Sequence, residues 1–326
     1  MPKKIEISHR TIIFTVLFLL FVWFLFFIRD IILQFFVALL IMTILNPLVT
    51  RLSNMRIPRP ISVFVAYLLG VGLLGLAIAS LVPPLIEQTT SFANNLPFYL
   101  ERLPAGLFVN EQVTDQILSQ LGSLPGQVVK FGFSLFSNAF GVITVLIFGF
   151  YLLLQRNKLD DQLGFFFGED KRAQIARIID LLEIKLGGWA RGELALMLLI
   201  GSSTYIGLAI LGIPYALPLA ILAGLFEIVP YLGPIVASIP AILIGLGISP
   251  LTGFGVAALV FLIQQLENYL FVPKVMEKSA GVSPIVTLLS LAIGLKLAGV
   301  VGAVISVPLV LTLQVLSKEY FFPREG

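Results

Sequence analysis

The chain has 326 residues, 58% of them hydrophobic and only 12% charged, with a net charge of +3. That balance belongs to an integral membrane protein, and the Lys and Arg residues sit beside apolar segments rather than in a long basic run, so no nucleic-acid partner is expected. With no Cys and with His9 as the single histidine, there is no basis for a disulfide framework, a thiolate nucleophile, an imidazole-bound metal or a His-dependent triad. No resident metal or cofactor is expected, and no enzymatic activity.

Taken in chain order, Thr11–Ile28 follows a basic tail and looks at first like a signal peptide. Its apolar run is too long, no small-residue cleavage site follows, and a second run starts at Ile31, so it is read as a retained first span. Arg29 and Asp30 turn the chain into a second span, Ile31–Val49. A basic loop with Arg51, Arg56 and Arg59 follows. A third span from Ile61 to about Val82 is expected to stop at Pro83 and Pro84.

Residues 1–84 thus form an N-terminal set of transmembrane helices. Residues 85–130 carry Glu87, Glu101, Glu111 and Asp115 and read as an extracytoplasmic amphipathic segment. A fourth span lies within 131–155. Residues 156–193 hold Arg156, Lys158, Lys171, Arg172, Arg177, Lys185 and Arg191, with Ile175, Ile178, Ile179, Leu182 and Leu186 at helical spacing. That pattern predicts a cytoplasmic amphipathic surface helix. A transmembrane core fills 194–326, with spans at Leu194–Leu211 and Phe254–Val272 and two interrupted apolar segments, Pro214–Leu246 and Ser283–Leu313.

Each half of those interrupted segments falls short of the roughly 20 apolar residues of a spanning helix. A break at membrane depth survives only where protein or a water-filled cavity covers it. Pro218 and Gly233 in the first segment have the same spacing as Pro284 and Gly299 in the second, and Pro240 and Pro308 occupy the returning arms. The expected fold is an all-α polytopic membrane bundle with two re-entrant or broken helical hairpins arranged as an inverted repeat. The Lys/Arg bias places it in the cell membrane, multi-pass, with both termini cytoplasmic.

Ionisable residues inside apolar segments cost roughly 2.5–3.5 kcal/mol each on insertion scales and mark candidate sites. Glu227, Glu267 and Lys296 are the three such residues singled out here. Gln264, Glu267 and Asn268 share one face of an ideal helix. That face would carry a proton or cation carboxylate with amide neighbours for a polar solute; alternatively, Glu267 sits near the cytoplasmic end and pairs with Lys274 or Lys278. Glu227 precedes Pro230, Tyr231, Gly233 and Pro234. Pro230 would leave the Phe226 carbonyl free beside a carboxylate, as a sodium or proton site needs, or else Glu227 forms a stabilising ion pair. Lys296, near the matching break, is expected to face Glu227 across the two hairpin tips.

The string Ile228–Pro234 resembles the IPxxGP element of the autoinducer-2 exporter family. Gln264–Asn268 followed by Pro273, Lys274, Val275 and Met276 resembles that family's QxxEN…PKVM element, and Pro284, Gly294, Gly299, Gly302 and Pro308 fit its terminal pattern. The resemblance implies a secondary transporter for autoinducer-2 or another small polar solute, or a sodium(lithium)/proton antiporter. It also implies a homo-oligomer, a pentamer among the forms it suggests. Pro230, Gly233, Glu267, Asn268, Pro273 and Pro284 are the site positions it carries over; Glu227 and Lys296 are not fixed features of the family. A membrane scaffold without transport is a third reading.

Overall fold

The computed structural model describes residues 9–101, 139–159, 165, 168–230, 232–276 and 283–321. Tyr231, Lys278 and most of the 85–130 segment lie outside them. Every regular element among the described residues is helical, as a chain must be that satisfies its backbone within lipid without closing a barrel.

Helix α1 (His9–Phe27) is a run of exposed apolar side chains, with Phe14 on Phe18 and Trp23 on Phe27 stacked along its surface. At about 28 Å it sits at the short end for a span. Helix α2 (Arg29–Asn54) and helix α3 (Arg59–Glu101) pack together and against α4 (Ala139–Gln155). Met42, Val49, Val63, Ala66 and Leu153 form their shared core.

Helix α3 does not stop at Pro83 and Pro84 but continues to Glu101. Each proline removes one N–H donor, yet its fixed φ is compatible with helix, so the helix survives the pair. Beyond them it reaches Tyr215, whose hydroxyl accepts from Asn95 Nδ2 at 3.1 Å.

The expected surface helix and fifth span are one continuous element, α5 (Glu169–Ile210). The reason is register: Ile178, Leu186, Trp189, Leu196, Ile200, Thr204 and Leu208 form a single buried stripe that crosses the proposed boundary without a break. The helix ends in a Schellman motif, with the N–H of Ile213 donating to Leu208 O at 2.9 Å and that of Gly212 (φ 65°) donating to Ala209 O at 3.1 Å. Leu208 and Ile213 are packed together beneath it.

The first interrupted segment is a helical hairpin of α6 (Ala216–Phe226) and α7 (Leu232–Ile248). It packs against α5 on one side and α8 (Pro250–Leu266) on the other. Ser249 caps α8, its hydroxyl accepting from the Thr252 N–H at 3.0 Å, and Pro250 occupies the first turn, where its missing N–H is harmless. A five-residue π-helical turn, Glu267–Phe271, then leads into α9 (Val272–Met276).

The second segment lies within α10 (Pro284–Phe321), which folds back at Ala298 and Gly299. Gly299 takes φ 60°, ψ −145°, a conformation open essentially to glycine alone. The two arms then touch through Gly294 and Gly302: a Cβ on Gly294 would lie 2.3 Å from Gly302 O. The returning arm runs on to Phe321, and Gly302–Glu319 is long and apolar enough to cross a membrane, unlike the other three hairpin arms.

Six helical stretches meet that criterion of length and composition: Arg29–Asn54, Arg59–Pro84, Phe140–Lys158, Arg172–Ile210, Pro250–Met276 and Gly302–Glu319. The protein is therefore an all-α, multi-pass membrane protein, with α5 as the element that touches both hairpins.

Candidate functional site

The buried carboxyl groups among the described residues lie on α5, at the end of α6 and on the π turn. Glu267, 6% exposed, opens the π turn, and its Oε2 accepts a hydrogen bond from Gln264 Nε2 at 2.8 Å. The N–H of Val272 donates to Glu267 O, the i to i−5 bond that defines the turn. Pro273 follows directly and has no N–H to offer Tyr269, so the α-helical ladder could not have continued unbroken there.

Gln264 and Glu267 point inward, whereas Asn268, expected on the same face, is exposed: the buried side of this stretch runs along Val256, Ile263 and Glu267, and Asn268, although four residues from Gln264, lies beyond its edge. Pro273 is exposed as well. Glu267 forms no ion pair with Lys274, which is itself exposed. Lys278, its other expected partner, is outside the described residues.

Glu227 closes α6 and is 2% exposed, with its Oε2 buried and unpartnered. The Phe226 carbonyl is not free as expected: the N–H of Val229 donates to it at 2.9 Å, replacing the bond that Pro230 cannot make. Gly233 is buried directly over that carbonyl, and a Cβ there would stand 1.8 Å from Phe226 O. Pro230 and Pro234 are half-buried in the same turn, and Pro240 is buried in the returning arm. Tyr231 is outside the described residues.

The expected apposition of Glu227 and Lys296 is absent. Lys296 is exposed on the outgoing arm of α10, which packs on α5. On the same helix, Gly299 is exposed at the fold-back, Gly302 half-buried and Pro308 buried, and Pro284 opens the outgoing arm.

In place of Lys296 the fold brings in Glu193, from the buried stripe of α5. It is 5% exposed, and its Oε1 has no hydrogen-bond partner. Glu267 lies close enough to repel both Glu193 and Glu227 electrostatically, and Glu193 acts on Glu227 in the same way. Glu193 is not among the residues singled out from sequence, because it is the last residue of the segment 156–193 read there as a cytoplasmic amphipathic surface helix. Its register with Trp189, Leu196 and Ile200 was the available signal.

Beside Glu267 is a small, partly open cavity of about 30 Å³, with Thr204, Pro234, Ala237, Ser238, Gln264 and Glu267 among its lining residues. That is room for a water or a bare ion. A second, open cleft of about 400 Å³ is lined by Thr43, Asn46, Arg156, Asp180, Glu183 and Arg191, among others. There the charges are paired. Arg156 Nε donates to Glu183 Oε2 at 2.6 Å, and its Nη2 reaches Asp180. Asn46 donates to Glu183 and accepts from Arg59 Nη2 at 3.2 Å, while Arg59 also donates to Leu153 O. Arg191 Nη1 donates to Thr43 O at 2.7 Å.

A multi-pass helical bundle with intramembrane carboxyl groups gathered beside a broken hairpin is the build of a membrane transporter. Residues 12–322 match the AI-2E family transporter model, and the chain belongs to that family. It is 29% identical to YueF of Bacillus subtilis (strain 168), which bears the name "Putative transport protein YueF", over 87% of this chain and 83% of YueF. YrrI of the same strain, also named as a transport protein, is 26% identical over 91% of this chain and 88% of its own. A sodium-lithium/proton antiporter of Halobacillus andaensis is 25% identical over 94% of both chains.

Proposed function

We propose that this protein is a secondary active transporter that exports a small polar metabolite, autoinducer-2 among the candidates, by alternating access coupled to protons through Glu267. The observation that carries this reading is Glu267 itself: a buried carboxyl group on a π turn, hydrogen-bonded by Gln264 and facing a small, partly open cavity. Intramembrane carboxyl groups are costly and serve ion and proton pathways, and π turns recur at functional sites. Pro230, Gly233 and Pro234 would form the moving tip of the first hairpin, and Pro284, Gly299, Gly302 and Pro308 the fold-back of the second. Alternation would follow from an inverted-repeat relation between the two hairpins, each turning at a tight glycine contact.

The orientation we propose puts both termini on the cytoplasmic side of the cell membrane. Its support is the joining of the two basic turns at one end of the bundle, where Arg59 bonds Leu153 O beside Arg156. The likeness to the Halobacillus andaensis antiporter, together with a cavity sized for a water or an ion, favours sodium(lithium)/proton antiport as the second reading.

The test is autoinducer-2 flux into proteoliposomes under an imposed pH gradient, against protein-free vesicles. Gradient-driven flux that Glu267→Gln abolishes is the expected result. No flux above background from folded protein would sink the exporter reading, and sodium-driven proton movement in the same vesicles would then support antiport.

A further inference from the structure

The open cleft has no part in the reading just given, and its floor is set by a proline. Pro47 lies inside α2 and has no N–H to offer the Thr43 carbonyl one turn back. Gly187 lets α5 come close to that carbonyl, since a Cβ there would lie 2.7 Å from Thr43 O. Arg191 Nη1 then donates to it at 2.7 Å.

Asp180, Glu183, Gly187 and Arg191 follow one another at helical spacing and share one face of α5. Glu183 is fully engaged there, its Oε1 accepting from Asn46 and its Oε2 from Arg156. Asp180 meets Arg156 through Oδ1, and its side chain stays 60% exposed. Arg191 is exposed, and its bond to Thr43 uses one of the five N–H donors of a guanidinium. The face thus offers an acceptor at one end and a fork of donors at the other.

Charge and size narrow the occupant. Arg156 and Arg191 match Asp180 and Glu183 in number, so the lining suits a ligand that carries both signs. A simple anion would meet the Asp180 carboxylate, and a simple cation the Arg191 guanidinium. At about 400 Å³ the cleft is in the range of small-molecule sites, roughly 300–1,000 Å³. Arg191 Nη1 stands 2.9 Å from the place of a Gly187 Cβ, which sets the guanidinium level with Gly187. Asp180 is two turns away, about 10 Å along the axis. Hydrogen bonds of about 2.8 Å at each end leave about 5 Å between the ligand's charges. A phosphate and an ammonium joined through an ester oxygen and two carbons cover that gap.

Depth points to lipid as the source. Arg156 is the first charged residue after the apolar run of α4, and Arg191 comes just before the uncharged run Leu194–Leu211. Both sit at headgroup level, where basic pockets between spanning helices take lipid headgroups. Pro47 and Ile184, the latter 60% exposed, put apolar surface at the same cleft for the start of the acyl chains.

We propose that this cleft seats the headgroup of a phosphatidylethanolamine, its phosphate on Arg191 and its ammonium on Asp180. Phosphatidylcholine has no N–H to donate to Asp180, and phosphatidylglycerol has no cation. The lipid is part of the frame that α2, α4 and α5 build, and the assignment does not depend on what the protein carries.

The test is native mass spectrometry of the delipidated full-length protein with dioleoyl phosphatidylethanolamine, phosphatidylcholine and phosphatidylglycerol at equal concentration. The ethanolamine lipid should be held about tenfold more tightly than the other two, the scale of one charged hydrogen bond. Its mono- and dimethylated forms should fall in between. Asp180→Asn should bring the ethanolamine lipid down to the level of the choline lipid, and Arg191→Gln should weaken all three.

Equal retention of the ethanolamine and choline lipids by the parent overturns the proposal, as does a preference for phosphatidylglycerol. So does an undiminished ethanolamine preference in folded Asp180→Asn. If that variant does not fold, the methylated series decides: retention that fails to drop as methyls are added overturns the Asp180 contact. Displacement of the lipid by soluble phosphoethanolamine at equal concentration would make the ligand a free metabolite and overturn the lipid assignment.

Discussion

At the cleft, Arg156 lies between Asp180 and Glu183, Asn46 and Arg59 complete the hydrogen bonds, and the space is open to solvent. In the hairpin core, Glu193, Glu227 and Glu267 are almost wholly buried, Gln264 is the one side chain among the described residues that hydrogen-bonds any of them, and the adjoining cavity holds little more than a water. The same α5 runs through both regions. A chain able to match its carboxylates with arginines in one place leaves them unmatched in the other. Charge compensation at the cleft joins α2, α3, α4 and α5 into one body. In the core no such compensation is found among the described residues, and under the transport reading proposed above those groups are the ones that would serve the coupling ion. The first region is read as structural and the second as functional, and each reading makes a different demand on a substitution.

The largest expected effect is at Glu267. Glu267→Gln keeps the shape and the contact with Gln264 but removes the exchangeable charge, so gradient-driven flux in proteoliposomes should fall by about a hundredfold, the scale of losing a group on which the coupled step depends. Thermal stability should hold. Unaltered flux would move the functional centre away from the core.

The paired region should respond in the opposite sense. Arg156→Leu strands Glu183, whose side chain is 15% exposed, and one broken partner of a buried pair costs up to 3–5 kcal/mol. With part of the network still open to water, a loss of about 2 kcal/mol is expected, read as a lowered melting temperature in detergent. Flux in protein that remains folded should change little. Recovery of stability in Arg156→Leu/Glu183→Met would show that the cost was the stranded charge and not the lost packing.

How far this comparison could be read from sequence depends on the residue. The helical class, the two hairpin breaks and Glu227 and Glu267 were legible, because Gly, Pro and acidic residues stand out in apolar segments. Glu193 was not, since Arg191 beside it belongs to the charged segment read as a surface helix, and only the register shared with Trp189 and Leu196 places it inside. The α-helical spacing puts Asn268 beside Gln264, but the buried side runs along Val256, Ile263 and Glu267, which leaves Asn268 beyond its edge. Pro273 hinted at a disturbed ladder without saying where the extra residue would go. Lys296 was matched to Glu227 by analogy between the hairpins, and analogy does not fix which way an arm faces. The clamp of Asn46, Arg59, Arg156 and Glu183 joins residues up to 137 positions apart, which no local pattern encodes.

Glu227→Gln separates the two regions more finely. Removal of an unpartnered buried carboxylate should leave the melting temperature equal or raise it, by up to about 1 kcal/mol of stability. A loss beyond about 2 kcal/mol would mean that Glu227 anchors the α6–α7 turn, and the core would then resemble the clamp.

The smallest effect tests the compensated side of the molecule at its one orphaned atom among the described residues there. Tyr67 on α3 packs edge-on to Phe150 at 5.7 Å, and its buried hydroxyl has no hydrogen-bond partner. The hydroxyl fills the space over Gly149, where a Cβ would meet it at 2.3 Å. Tyr67→Phe therefore removes an unsatisfied polar atom, worth about 1–3 kcal/mol of desolvation, and opens a gap about the size of an oxygen, which costs back part of that gain. The two nearly cancel, and stability should rise by less than about 1 kcal/mol with flux unchanged. A clear loss of flux would place Tyr67 among the working groups and end the division of the molecule into a matched frame and an unmatched core.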